Sequence, residues 1–128
     1  MKKKQPYRII VAGSRTFSDY AFLKAKLDRL TCNLQDFVIV SGAAKGADRL
    51  GERYADENGK TVIRFHADWD GLGKKAGILR NEEMVSMSGA KALVAFRCEG
   101  KSTGTDDVIA RARKAGLKVI VYNVRRTT

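Results

Sequence analysis

The residues best suited to chemistry lie in three glycine-rich segments, 12–16, 41–48 and 100–107. The third combines glycines with hydroxyl side chains directly before a helical pattern, and Thr103 or Thr105 could cap that helix. Backbone N–H groups at a helix N-terminus attract anions, because they lack partners within the helix and the helix dipole is positive there. The segment 100–107 is therefore the leading candidate for a phosphate-binding site.

The other two segments add small residues and cations. Gly13 permits a close backbone turn, and Arg15 could form paired hydrogen bonds with a phosphate or a carboxylate. Segment 41–48 contains two glycines and three alanines, so its backbone N–H groups could also approach an anion. It matches neither GxGxxG nor the Walker A loop, since Lys45 precedes Gly46. A dinucleotide-binding fingerprint and a P-loop kinase are disfavoured.

Three further residues each have two interpretations. Trp69, the chain's single tryptophan, either belongs to the core, as most tryptophans do, or stacks on an aromatic ligand. Arg80 either pairs with neighbouring glutamates on the surface or faces a ligand as a cation for a phosphate or a transition state. Asp48 either complements the dipole of the helix that it begins or binds a ribose hydroxyl or a metal-bound water.

The elements that must position these residues alternate between strand and helix. Five short runs rich in β-branched residues predict strands at 8–12, 37–41, 61–66, 92–96 and 118–122. Helical spacing predicts helices after Ser18, over 47–58, over 74–87 with Leu79, Met84 and Met87 on one stripe, and over 105–115. The longest irregular piece is 67–73. This order predicts an α/β, Rossmann-like, doubly wound, mostly parallel sheet of order 3-2-1-4-5 with helices on both faces.

Composition favours one globular domain. The 128 residues carry a net charge of +11, of which five positive charges lie at residues 2–4 and 125–126, leaving +6 for the rest. We expect a basic tail at 1–6, a domain at 7–122 and a second tail at 123–128. Two cysteines, Cys32 and Cys98, are too few for a disulfide framework and are expected in the core. With no apolar run long enough for a membrane span, a cytoplasmic protein is predicted.

The chain resembles the YspA/YpsA-related branch of the SLOG superfamily. The resemblance spans about residues 7–122 and rests on segments 13–15 and 41–48, on Trp69 with the glycine, lysine and alanine positions 73–77, on Arg80-Asn81 with Met84, and on the Gly104-Thr105 pair. It implies a nucleotide or nucleotide-derived ligand, occurrence in bacteria and their phages, and a homo-oligomer such as a dimer.

Within that superfamily the chain is similar in part to LOG-type phosphoribohydrolases and to DprA. The LOG pattern carries a catalytic Arg in an Arg-Lys-x-x-Met segment and a catalytic Glu after a Gly-Thr pair. Arg80 matches the first, but the position of the Glu falls on Val108. Glycosidic cleavage requires a carboxylate near the sugar, so Asp107 and Asp48 are the remaining candidate acids.

Three hypotheses follow, in this order: binding or sensing of a nucleotide at the carboxyl edge of the sheet, hydrolysis of a nucleotide N-glycosidic bond, and DprA-like DNA binding. Neither a cofactor nor a metal is predicted. The predicted catalytic residues are Arg80, Asp48 and Asp107. The predicted ligand-binding residues are Gly13, Ser14, Arg15, Ser41, Gly42, Ala43, Lys45, Gly46, Asp48, Trp69, Lys74, Arg80, Asn81, Ser102, Thr103, Gly104 and Thr105.

Overall fold

A single parallel sheet organises the chain. The computed structural model describes residues 5–125, apart from the side chain of Lys74. Its strands are β1 (Tyr7–Gly13), β2 (Phe37–Ser41), β3 (Val62–Arg64), β4 (Ala92–Cys98) and β5 (Lys118–Val124). All neighbouring strands pair in parallel, in the order β3-β2-β1-β4-β5. The predicted α/β, Rossmann-like fold and its strand order are confirmed.

Both faces of the sheet are covered, which explains why the strands read as continuous apolar runs. Alternate residues of β1 point to opposite faces, so Val11 joins one buried cluster and Ile10 joins the other. The first cluster includes Leu23 and Leu27 of the first helix, and the second includes Met84. The central strands are therefore covered on both faces, and the loops at the carboxyl edge of the sheet are where ligands of such sheets bind.

Five helices connect the strands: α1 (Tyr20–Thr31), α2 (Ala47–Glu57), α3 (Trp69–Leu72), α4 (Ala76–Met87) and α5 (Thr103–Lys114), with a 3-10 turn at Gly73–Lys75. Asp19, rather than Ser18, caps α1 by accepting a hydrogen bond from the backbone N–H of Phe22 at 3.1 Å. Ser102 is the N-cap residue of α5, so the prediction that Thr103 or Thr105 caps that helix is wrong.

The segment between β3 and β4 departs most from expectation. The predicted helix over 74–87 begins at Ala76, and the stretch predicted as irregular contains α3. Of the predicted apolar stripe, Met84 is buried, whereas Leu79 and Met87 are exposed. Only one side of α4 faces the sheet, and Ala76, Asn81 and Met84 occupy it. Sequence spacing overestimated the apolar face because a polar residue, Asn81, takes one of the inward positions.

The predictions for the two cysteines and for the chain ends are only partly confirmed. Cys98 is buried as predicted, but Cys32 is exposed beyond the end of α1, so its placement in the core was wrong. β5 continues to Val124, past the predicted domain boundary at residue 122. Residues 1–4 of the first predicted tail and 126–128 of the second lie outside the described residues. Within residues 5–125, none of the helices has the length and apolar composition that a membrane span requires.

Candidate functional site

One cavity of about 580 Å³ opens at the carboxyl edge of the sheet. It lies where the chain reverses its winding direction, because β2 and β3 follow β1 on one side while β5 follows β4 on the other. Ligands of open α/β sheets bind at this kind of switch point. The loops after β1 and β4 and the first turns of α2, α4 and α5 supply its walls.

Two glycines let the loops after β1 and β2 pack against each other. A Cβ at Gly13 would collide with the carbonyl oxygen of Phe96 and would lie 2.6 Å from Cβ of Ala47. Gly46 has a φ of +82°, and a Cβ there would collide with the carbonyl oxygen of Ser14. At Gly46 only glycine can adopt the left-handed conformation and also avoid this collision. These contacts hold the N-terminus of α2 against the loop after β1.

The N-terminus of α5 forms the part of the cavity wall next to the loop after β1. The hydroxyl of Ser14 lies 2.9 Å from the hydroxyl of Ser102 and accepts a hydrogen bond from the backbone N–H of Cys98 at 2.8 Å. The side chain of Ser102 makes no capping bond to α5. The first intrahelical bond runs from the N–H of Asp106 to the carbonyl of Ser102, at 2.9 Å. The N–H groups that precede Asp106 are therefore the anion-attracting end of the helix.

Arg80 faces the cavity rather than the neighbouring glutamates. Its guanidinium donates to the carbonyl of Gly42, and its Nε donates to Oδ1 of Asn81 at 2.8 Å. Asn81 is buried, and its Nδ2 donates to Oδ2 of Asp107 at 3.0 Å and to the carbonyl of Gly104 at 3.2 Å. Burial lowers the pKa of Arg80. The arginine is thus fixed between the loop after β2 and the start of α5.

Asp48 and Asp107 occupy different environments in the same cavity. Asp48 is only 5% exposed and accepts one long hydrogen bond, 3.3 Å, from the N–H of Ala44. Burial raises the pKa of Asp48 from 3.8 to about 6, although the Ala44 N–H and the charge of Arg80 oppose that rise. Asp107 accepts from Asn81 and, at 2.9 Å, from Nε of Arg111. Asp48 can therefore hold a proton up to about pH 6, whereas Asp107 accepts hydrogen bonds from two side chains.

Trp69 is half-exposed at the rim of the cavity, so its placement in the core, the first of the two interpretations, is wrong. The guanidinium carbon of Arg15, in the loop after β1, lies 5.5 Å from the centroid of the indole ring. This is a cation–π distance. The pair joins the loop after β1 to the start of α3.

The structure brings most of the predicted residues to the cavity wall. Those that line it are Gly13, Ser14, Arg15, Asp48, Trp69, Arg80, Asn81, Ser102, Thr103, Gly104, Thr105 and Asp107. Five predicted loop residues are not part of its lining: Ser41, Gly42, Ala43, Lys45 and Gly46. Ser41 is fully buried and donates to Oε2 of Glu52 at 2.7 Å, which is a structural role. The side chain of Lys74 lies outside the described part of the chain.

Sequence reasoning missed several lining residues, among them Ile78, Cys98 and Glu99. Cys98 and Glu99 are the last residue of β4 and the first after it, so the edge rule that selected the loops could have found them. Ile78 carries no comparable signal. Within residues 5–125, no three His, Cys, Asp or Glu side chains are grouped closely enough to hold a metal ion.

The chain is similar to a known protein family and to a solved structure. A model of the YspA, cpYpsA-related SLOG family matches residues 7–71. Gene 61 protein of Mycobacterium phage D29 is 40% identical over 90% of this chain and 95% of its own length. The X-ray structure of DNA processing protein A (DprA) from Streptococcus pneumoniae is similar with a TM-score of 0.52 and 20% identity, over 90% of this chain but 58% of the DprA chain. The likeness to DprA is one of fold.

Proposed function

Because this chain belongs to the YspA, cpYpsA-related SLOG family, we propose that its cavity binds a nucleotide or a nucleotide-derived ligand. The observation that carries the proposal is the N-terminus of α5 opening onto a cavity of about 580 Å³ that also contains the Arg80 guanidinium. That volume is typical of small-molecule sites. The phosphate lies against the start of α5, where the backbone N–H groups and the helix dipole favour an anion.

A change at the first residue of α5 tests the phosphate position. Thr103 is exposed and lines the cavity, whereas Thr105 is buried, so Thr103→Glu is the substitution that the fold tolerates better. A carboxylate in the first turn stabilises the free helix by about 0.5 kcal/mol through the dipole, yet it repels a phosphate. We expect AMP or ADP-ribose to raise the melting temperature of the native protein by several degrees and to leave that of Thr103→Glu unchanged.

The matched control is Ala110→Glu, which adds the same charge to an exposed position of α5 away from the cavity wall. It should keep the full nucleotide-induced shift. A shift retained by Thr103→Glu, or lost equally in both variants, would contradict the proposed phosphate position. If no nucleotide in the panel stabilises the native protein, the proposal of nucleotide binding fails.

Asp48 favours a second candidate function, hydrolysis of a nucleotide N-glycosidic bond. A buried carboxyl group with a pKa of about 6 is suited to general acid catalysis near neutral pH. Its proton would pass to the base as the glycosidic bond breaks, and water would add to the sugar carbon and return a proton to the Asp48 carboxylate. Arg80 would bind the anionic substrate. Val108, at the position of the LOG glutamate, is buried and cannot serve as an acid. We therefore assign the acid role to Asp48 rather than to Asp107.

Release of free base from AMP, followed by chromatography, tests this candidate. We expect Asp48→Asn and Arg80→Met to lower the rate by about 100-fold or more, which is a common contribution of a general acid. Asp107→Asn should lower it far less, because that carboxylate is already hydrogen-bonded to Asn81 and Arg111. A rate unaffected by Asp48→Asn contradicts the hydrolase assignment, and no release by the native protein leaves binding as the function.

DNA binding ranks third. It is supported by the net charge of +11 and by the fold shared with DprA. Several of the positive charges, at residues 2–4 and 126, lie outside the described residues. The cations inside the cavity, by contrast, converge on a space suited to one small anionic ligand. A nucleotide accounts for that convergence more directly than a duplex does.

A further inference from the structure

The position of Trp69 calls for an explanation beyond packing. A tryptophan gains most of its stabilising effect by burial, yet 48% of this side chain is exposed. It begins the short helix α3, where Asp68 accepts a hydrogen bond from the N–H of Gly71 at 3.0 Å. The ring therefore stands at the cavity rim on a locally capped turn.

Gly77 of α4 lies beside the edge of the Trp69 ring. A Cβ at that position would lie 3.2 Å from Cη2 of Trp69, and the two adjacent ring atoms would lie 3.9 Å away. The contact thus involves the outer edge of the indole, which is close enough to α4 that a larger residue would crowd it. The edge of the ring, rather than a face, therefore lies against α4, which leaves the faces clear of this helix.

Arg15 covers one of those faces, and its charge also acts on the buried groups of the cavity. Its guanidinium carbon is 5.5 Å from the ring centroid, and its charge opposes the burial-driven rise in the pKa of Asp48 and adds to the lowering of the pKa of Arg80. Arg15, Asp48 and Arg80 all line the same cavity. Arg15 is exposed, so its side chain can move without unpacking the core.

We propose that Trp69 and Arg15 form a stacking clamp for the nucleobase of the ligand. The inference rests on the proposed nucleotide site and assigns its base-binding end. A base between indole and guanidinium needs two contacts of about 3.5 Å, so Arg15 would move outward by about 1.5 Å. Stacking on an aromatic ring and on an arginine plane tolerates any base but favours purines, which have the larger aromatic surface.

Two probes separate the base from the phosphate: AMP and ribose 5-phosphate, each titrated by calorimetry. We expect the native protein to bind AMP about 5- to 100-fold more tightly than ribose 5-phosphate. Trp69→Ala should remove that preference by weakening AMP alone, and Trp69→Phe should retain much of it. Leu72→Ala, an exposed residue of the same helix away from the cavity wall, should change neither affinity.

Fluorescence gives an independent readout, because Trp69 is the only tryptophan in the chain. AMP should quench the native emission, whereas ribose 5-phosphate should not. Equal binding of the two probes to the native protein, or equal weakening of both by Trp69→Ala, overturns the clamp and leaves the phosphate site standing. If neither probe binds, the clamp and the proposed nucleotide site fail together.

Discussion

Asp48→Asn is expected to make the protein more stable near pH 7.5, by about 3 kcal/mol. The carboxyl group titrates near 3.8 in an unfolded chain and near 6 in the folded protein, because burial disfavours its charged form. A shift of about two pKa units corresponds to about 3 kcal/mol, since each unit is worth 1.36 kcal/mol. Asparagine removes the charge and keeps an oxygen that can accept from the N–H of Ala44.

The pH dependence identifies the cause. Between about pH 4 and pH 6 the folded protein holds a proton on Asp48 that the unfolded chain has released. The free energy of unfolding of the native protein therefore falls as the pH rises through this interval, and above about pH 6 the full cost of the buried charge is present. The difference between variant and native protein should be near zero at about pH 4 and maximal above about pH 7.

Urea denaturation at several pH values measures that difference. Asp28→Asn is the control with the opposite expectation. Hydrogen bonds from Tyr54 and Lys24 lower the pKa of Asp28, so its charged form belongs to the stable folded state. The free energy of unfolding of Asp28→Asn should not exceed that of the native protein near neutral pH. A native protein as stable as Asp48→Asn at pH 7.5, or a gain that does not depend on pH, would contradict the assignment.

A buried carboxyl group whose charged form is disfavoured supports a functional role for Asp48. Such groups are common in active and binding sites, where a perturbed pKa is part of the chemistry. We expect the stabilised Asp48→Asn variant to lose base release if the protein is a hydrolase. If the protein only binds nucleotides, the variant should bind them with little change, because Asp48 is not the proposed phosphate contact.

The sequence predicts the fold well because strand and helix signals alternate without interruption. The apolar runs in β1, β2 and β4 are buried on both faces, and that pattern is readable from composition alone. Errors concentrate between β3 and β4. There β3 is an edge strand of three residues, and the short helix α3 depends on an Asp68 cap in a stretch that otherwise reads as a glycine-rich loop.

The sequence predicts which loops form the candidate site, but not which of their side chains face the cavity. Glycine and hydroxyl residues after parallel strands indicate the edge where a ligand binds. Whether Arg80 faces Glu83 or the cavity depends on which side of α4 packs against the sheet. Asn81 is buried on that side, and Arg80 is hydrogen-bonded to it. The burial of Ser41 likewise depends on Glu52, a charged residue whose inward position has no sequence signal.

Arg80→Met is expected to weaken AMP binding by about 100-fold. Arg80 is the part-buried cation of the cavity that the loop after β2 and the start of α5 hold in place, through Gly42 and Asn81. Removing a buried charge that pairs with an anionic ligand costs about 2 to 5 kcal/mol of binding free energy. Arg80→Lys should lose less, about 10-fold, because it keeps the charge without the fork of donors. Calorimetric titration measures both, and Arg113→Met on the exposed end of α5 is the matched control.

A double variant separates lost binding from lost folding. Arg80→Met alone leaves Asp48 buried without its opposing charge, so the pKa of Asp48 should rise further above 6 and stability should fall near neutral pH. Combining it with Asp48→Asn removes the uncompensated carboxylate and should restore the free energy of unfolding. Binding of AMP should stay about 100-fold weaker in the double variant, because the guanidinium is still missing. Affinity that recovers together with stability would show that Arg80 supports the fold rather than the ligand.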